Sequence, residues 1–188
     1  MEVERKGAID PSFRLSLRLE DEERFELIAT DPFGRALWKI EVDRGTGRFL
    51  DERQRWACRF DPAASNAMPR LDWGLTALEL PAVLRGALPG PAVSEGVGME
   101  AGSFEFRDAR GRLWTGEADA RGLASWRMET ADGALTYRRE GVGATLSDDR
   151  SGARLRWREL AAEPLSGPLQ PLSAGTPELP ECADADLS

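Results

Sequence analysis

The chain has 188 residues, 41% of them hydrophobic and 31% charged, with a formal net charge of −8 and no histidine. That composition fits one globular domain with a little to spare, and no apolar run approaches the roughly 18 residues of a membrane-crossing helix. Missing histidine removes imidazole acid–base chemistry, Ser-His-Asp triads and His-ligated metals, while Cys58 and Cys182 allow at most one disulfide and no structural zinc site of their own.

The charge is uneven. Residues 1–162 carry −3 and residues 163–188 carry −5, with no Lys or Arg after Arg158. A near-neutral body with an acidic end lacks the basic face that nucleic acid requires. The 23 arginines, against two lysines, are scattered singly between acids, as coding bias leaves them. No nucleic-acid partner is expected.

In chain order, Phe13, Leu15, Leu17 and Leu19 alternate with Arg14, Ser16, Arg18 and Glu20, the period of a strand with one buried and one wet face. The acids Glu20 to Glu23 turn the chain, and Phe25, Leu27 and Ala29 resume the alternation. Asp31-Pro32-Phe33-Gly34 reads as a β-turn. Beyond it come Ala36, Trp38, Ile40 and Val42, then Trp56-Cys58-Phe60. Residues 76–88 break the rhythm. Thr76 is a candidate cap, Pro81 suits a first helical turn, and Leu80, Val83, Leu84 and Leu88 recur at helical spacing before Pro89-Gly90-Pro91 stops the run. Phe104 with Phe106, Leu113 to Ala118, Leu123 to Thr130 and Leu135 to Arg139 alternate again, the last two joined at Asp132-Gly133. Ala153-Leu155-Trp157 closes an antiparallel meander of about nine or more strands. One short helix in such a meander predicts a curved sheet with a helical lid or plug.

From Ala161 onward five prolines fall within 28 residues, almost without aromatics. This segment cannot bury enough apolar surface to offset its ordering entropy. It predicts an extended strap or a mobile tail, with Leu165, Leu169, Leu172 and Leu179 available to lie along the body. The expected organisation is therefore a domain over 1–160 and a Pro-rich acidic tail over 161–188.

No enzymatic motif stands out. Asp148-Asp149 and Glu20 to Glu23 are acid clusters in predicted turns, where solvated carboxylates are ordinary. Gly96, Gly98 and Gly102 are misspaced for a dinucleotide fingerprint and precede a strand. Cys58 alternates with Trp56 and Phe60 as a small buried apolar residue does, although a disulfide to Cys182 would strap the tail to the body. Neither catalysis nor a cofactor is expected. Phe33 is the unusual residue, because hairpin tips ordinarily carry polar residues and glycine. Either its ring packs back on its own hairpin or lid, or it inserts into a membrane or a partner.

The stretch RFELIATDPFGRALWKIEVD (24–43), followed after about 35 residues by LELPAVLRGALPG (78–90) and later by LRWREL (155–160), resembles the outer-membrane lipoprotein receptor LolB family. Members carry a strand, an Asn/Asp-Pro-apolar-Gly turn and a second strand, then a Leu-Pro helix segment and an aromatic-containing last strand. The resemblance spans about residues 11–160. It implies a mainly β fold with a small helical lid: an antiparallel, unclosed (half) β-barrel enclosing an apolar cavity. Phe13, Leu15, Leu17, Phe25, Leu27, Trp38, Ile40, Val83 and Leu84 have the phase to be its walls.

The resemblance also implies non-enzymatic binding of lipoprotein acyl chains and their delivery to the outer membrane. A periplasmic LolA-like carrier of the same fold would hand over the chains, and burial at about 0.8 kcal/mol per methylene would hold them. Pro32, Phe33 and Gly34 would form the membrane-inserting loop, facing the inner leaflet of the outer membrane. The protein would be a monomer in the periplasm, peripheral to the outer membrane or lipid-anchored to it. Residues 1–11 differ from the family pattern: they show no signal peptide or lipobox cysteine, and leave no room for the helix and strand with which members begin. A trimmed start or a reduced relative is expected. In the competing reading, the six tryptophans and seven phenylalanines fill the core and the domain is a structural or interaction module of the cell envelope.

Overall fold

The computed structural model describes residues 2–5, 8–9, 13–64, 73–89, 102–131, 133–158, 167–169, 171–172 and 179–182. Pro91, Gly96, Gly98, Asp132 and Leu165, singled out above, lie outside the described residues. Among the described residues the chain is mainly β, built as two antiparallel sheets without a closed barrel. It divides into two compact units, one of residues 13–81 with 163–188 and one of residues 1–12 with 82–162. The single meander expected from the alternation is therefore two.

In the unit that holds residue 13, five strands follow one another in sheet order: β3 (Arg14–Asp21), β4 (Arg24–Thr30), β5 (Ala36–Asp43), β6 (Thr46–Asp51) and β7 (Trp56–Phe60). Their register pairs Leu17 with Leu27, Leu27 with Ile40, Ile40 with Phe49 and Phe49 with Cys58. One face is consequently a continuous apolar row across all five strands. The other carries a ladder of charge in which Arg18 and Lys39 hold Glu26, and Lys39 and Arg48 hold Glu41. Arg44 and Gly45, both at positive φ, make the two-residue turn between β5 and β6.

The proline-rich tail belongs to this unit, and its described residues are tied down. Leu169 N–H donates to Glu20 (3.0 Å), Arg24 donates to the Leu169 carbonyl (2.7 Å), and Leu172 N–H donates to Asp43 (3.1 Å). Glu181 makes a parallel bridge beside Arg59 of β7, whose N–H donates to the Pro180 carbonyl. Cys58, fully buried in β7, is disulfide-bonded to Cys182.

The other unit is an eight-stranded sheet. Strands β8 (Gly102–Arg107), β9 (Leu113–Asp119), β10 (Gly122–Thr130), β11 (Gly133–Glu140), β12 (Gly143–Asp148) and β13 (Arg154–Arg158) form a meander, extended beyond β13 by β1 (Glu2–Arg5) and β2 (Ala8–Ile9). Alternation again sorts the faces. Phe104, Phe106, Trp114, Trp126, Tyr137 and Trp157 form a chain of ring contacts with centroids 5.1 to 6.2 Å apart. Trp114 Nε1 donates to Asp108 and Trp157 Nε1 to the Leu84 carbonyl.

Two expectations change. The helix predicted over 76–88 is a 3-10 turn (Ala77–Glu79) followed by the five-residue helix α1 (Leu80–Leu84). Thr76 N–H donates to the Glu79 carboxylate at its start (2.7 Å), while Gly86, at φ +71°, ends it four residues before Gly90. Asp148, expected as a solvated turn acid, is buried; its carboxylate accepts from Arg150 N–H and from the Ser151 hydroxyl.

Candidate functional site

Aspartates frame many of the turns that follow strands. Asp21, Asp31, Asp51, Asp61, Asp108, Asp119 and Asp148 each accept, through Oδ1, the backbone N–H two residues onward. This Asx-turn satisfies a donor that the strand ladder leaves behind. The turn that carries Phe33 is one of these. Asp31 Oδ1 accepts from Phe33 N–H (2.9 Å) and Arg35 N–H (3.0 Å), and Oδ2 accepts from Arg35 Nε (2.7 Å). Gly34 N–H donates back to the Asp31 carbonyl (2.9 Å), and Gly34 itself sits at φ +84°, where glycine is unstrained. Burial alone would raise the Asp31 pKa, but the Arg35 N–H and guanidinium and the Phe33 N–H outweigh it and hold it below the usual carboxylate range.

Phe33 projects from this frame with its ring 85% exposed, the Arg35 guanidinium 5.7 Å from its centroid. Pro32 and Gly34 on either side are exposed as well. The ring does not pack back into the hairpin.

A second copy of the same frame shows what the turn itself requires. Asp108-Ala109-Arg110-Gly111-Arg112 repeats the spacing. Asp108 Oδ1 accepts from Arg110 and Arg112 N–H, Oδ2 accepts from Arg112 Nε, and Gly111, at φ +75°, donates to the Asp108 carbonyl. The position filled by Phe33 is held there by Arg110, which is exposed. The frame therefore makes no demand for an aromatic ring at that position.

The predicted wall residues fall in both units. Phe13, Leu15, Leu17, Phe25, Leu27, Trp38 and Ile40 all belong to the five-stranded unit, the strand residues sharing its apolar face. Phe25, Leu27 and Ile40 are fully buried there. Phe13, Leu15, Leu17 and Trp38 are half-buried, with Phe13 edge-on to Trp38 and Trp38 stacked on Phe49. Val83, buried, and Leu84, half-buried, stand on α1 and group with the other unit.

Two features escaped the sequence reading. Val142 is 80% exposed at the β11–β12 turn, and its signal was an apolar residue set between Gly141 and Gly143. Trp126 is fully buried, yet its indole nitrogen has no hydrogen-bond partner among the described residues; nothing in alternation distinguishes it from the other tryptophans.

No described helix is long and apolar enough to cross a membrane. Compared with known proteins, the chain matches no family model and no characterised sequence.

Proposed function

We propose that this protein is a non-enzymatic carrier of lipoprotein acyl chains that receives them from a LolA-like periplasmic carrier and delivers them to the inner leaflet of the outer membrane. The observation that carries the reading is Phe33. An 85% exposed ring stands on a rigid, fully hydrogen-bonded turn whose sister turn folds with arginine in the same place. The turn does not need the ring, so the ring serves something outside the turn. Burying one phenylalanine in lipid gains about 1.5 to 3 kcal/mol, enough to dock a carrier and weak enough to let it leave. Arg35, beside the ring and largely exposed, is ion-paired with Asp31, so the pair leaves no net charge next to the ring.

The apolar face of the five-stranded sheet, with Phe13, Leu15, Leu17 and Trp38 half-buried on it, supports acyl binding within that unit. The Cys58–Cys182 disulfide supports an oxidising compartment such as the periplasm. The competing reading, an envelope interaction module with a filled core, draws on the complete burial of Phe25, Leu27 and Ile40.

The test uses a fluorescent diacylated lipopeptide and phospholipid vesicles. Wild type should hold the lipopeptide in solution and pass it to the vesicles. Phe33→Glu should still hold it but lose about tenfold or more in vesicle binding and delivery, a loss equivalent to about 1.4 kcal/mol or more. Phe33→Arg, whose side chain the sister turn already accommodates, controls for folding and should behave likewise on zwitterionic vesicles. A wild type that cannot hold the lipopeptide sinks the carrier reading and favours the filled-core module.

A further inference from the structure

We propose that β3 is a dimerisation edge, pairing antiparallel with β3 of a second copy so that two five-stranded sheets become one. The proposal goes beyond the carrier reading and does not depend on it; it replaces the monomer that the resemblance implied. β3 is an outer strand of its sheet, eight residues long and free of proline. The outer strand on the other side, β7, is covered by Pro180, Glu181 and the disulfide. Among the described residues nothing pairs with the outer side of β3. Its Leu15, Leu17 and Leu19 are half-buried, whereas Leu27 and Ile40, one and two strands further in, are fully buried. A long, half-apolar edge without a cover is a template for one more strand.

The ladder fixes which backbone groups are open. Arg44 N–H donates to the Glu23 carbonyl (2.9 Å), so Phe25, Leu27 and Ala29 bond toward β5. Glu26 and Ile28 then bond toward β3, at Arg18 and Ser16. The N–H and C=O groups of Leu15, Leu17 and Leu19 consequently point off the sheet, and no described residue bonds to them.

The residues of β3 are complementary to themselves. With Leu17 set opposite Leu17 of the second copy, Leu15 meets Leu19, and the open groups of all three leucines pair. On the wet face Ser16 meets Arg18, and Arg14 falls beside Glu20, each twice by symmetry. Arg18 keeps its own Glu26, and Glu20, at the strand's bulge, also serves Arg24 and the Leu169 N–H. A slip of two residues puts Arg14 against Arg18 in one direction and Arg18 against itself in the other. A slip of one sets open groups against closed ones and turns the leucines to the wet face. Only the first register has neither fault.

Sedimentation velocity on the full-length protein, from micromolar to millimolar concentration, tests the edge. Wild type should pass from monomer to dimer. Ser16→Arg sets two arginine pairs across the seam and should weaken the dimer about tenfold, while Ser16→Glu sets two ion pairs there and should tighten it about tenfold. Ser16 is exposed, so both variants should keep the wild-type circular dichroism. In wild type, the amides of Leu15, Leu17 and Leu19 should gain protection from hydrogen exchange in step with dimer formation. The Arg18 amide, bonded to β4, should not change. Wild type that stays monomeric at millimolar concentration overturns the proposal, as do both variants shifting the dimer in the same direction or not at all. So does protection of the three leucine amides in the monomer, because the edge would then be covered already.

Discussion

At the scale of single residues, the aspartates of the turns carry more of this structure than their exposure suggests. Asp108 satisfies two backbone N–H groups, the Arg112 guanidinium and the buried Trp114 indole at once. Burial alone would raise its pKa, but the Trp114 and Arg112 hydrogen bonds overcome that and hold it below the carboxylate range. Asp108→Ala leaves the Trp114 N–H buried and unpaired, which costs about 1 to 3 kcal/mol, so urea denaturation should register a loss near 2 kcal/mol. Asp31→Ala removes the same frame but strands no buried indole, so its loss should be the smaller of the two. Equal losses would show that the shared turn, and not the indole, sets the cost. The Asp-Pro-Phe-Gly turn was legible in the sequence because proline and glycine punctuate it. The exposure of Phe33 was not, because a pattern of residue types cannot say whether an aromatic ring at a turn folds back or stands out.

At the scale of the elements, alternation located β3, β4, β5, β7 and most of β8 to β11 and β13 because each sorts apolar from polar residues between its two faces. It passed over β6, where Gly47 and Asp51 flank Phe49 on the buried face, over β12, where Asp148 follows Ala144 and Leu146 on the buried face, and over β1 and β2. The helix shortened because Gly86 takes a positive φ inside the expected run, which helical spacing of leucines cannot reveal. What alternation did convey was the polar face of the five-stranded sheet, where the cross-strand ladder has a pH signature. Burial alone would raise Glu26, but hydrogen bonds from Lys39 and Arg18 outweigh it, so its folded pKa lies below the ordinary 4.5. Its contribution is therefore fully present above that value and is lost as pH falls through the lower folded one. Burial alone would lower Lys39, yet Glu26 and Glu41 raise it above 10.5, so its contribution holds below that value and is lost as pH rises through the higher folded one. The thermal midpoint should be flat between about pH 5 and 10 as far as this ladder decides it, and fall toward pH 3. Glu26→Gln should flatten part of that acid fall; an unchanged acid slope would mean that the ladder contributes nothing.

At the scale of the whole molecule, composition named the tail as a segment unable to fold on its own, and that is compatible with its described residues being held by the rest of the five-stranded unit. What composition could not supply was the set of partners, since Glu20, Arg24, Asp43 and Arg59 read as ordinary surface charges until Leu169, Leu172, Pro180 and Glu181 are placed against them. The described tail reaches β7, the outer strand of its sheet, and there the Arg59 N–H donates to Pro180 (2.9 Å) and its guanidinium to Glu181 (2.8 Å), next to the disulfide. An outer strand presents unpaired backbone groups to any other chain, and a covalently held cover blunts that hazard. The disulfide spans 124 residues, so in the chain-entropy account it stabilises by up to about 5 kcal/mol, an upper bound because denatured chains retain structure. Reduction, or Cys58→Ser with Cys182→Ser, should lower stability by several kcal/mol in guanidinium. It should also accelerate hydrogen exchange at the Arg59 amide well beyond that at Ile40 in the middle of the sheet. The order of those two amides matters more than the size of the loss. If Arg59 stays protected after reduction, the hydrogen bonds at Leu169, Leu172 and Pro180 hold the tail without help, and the disulfide acts on the unfolded chain alone.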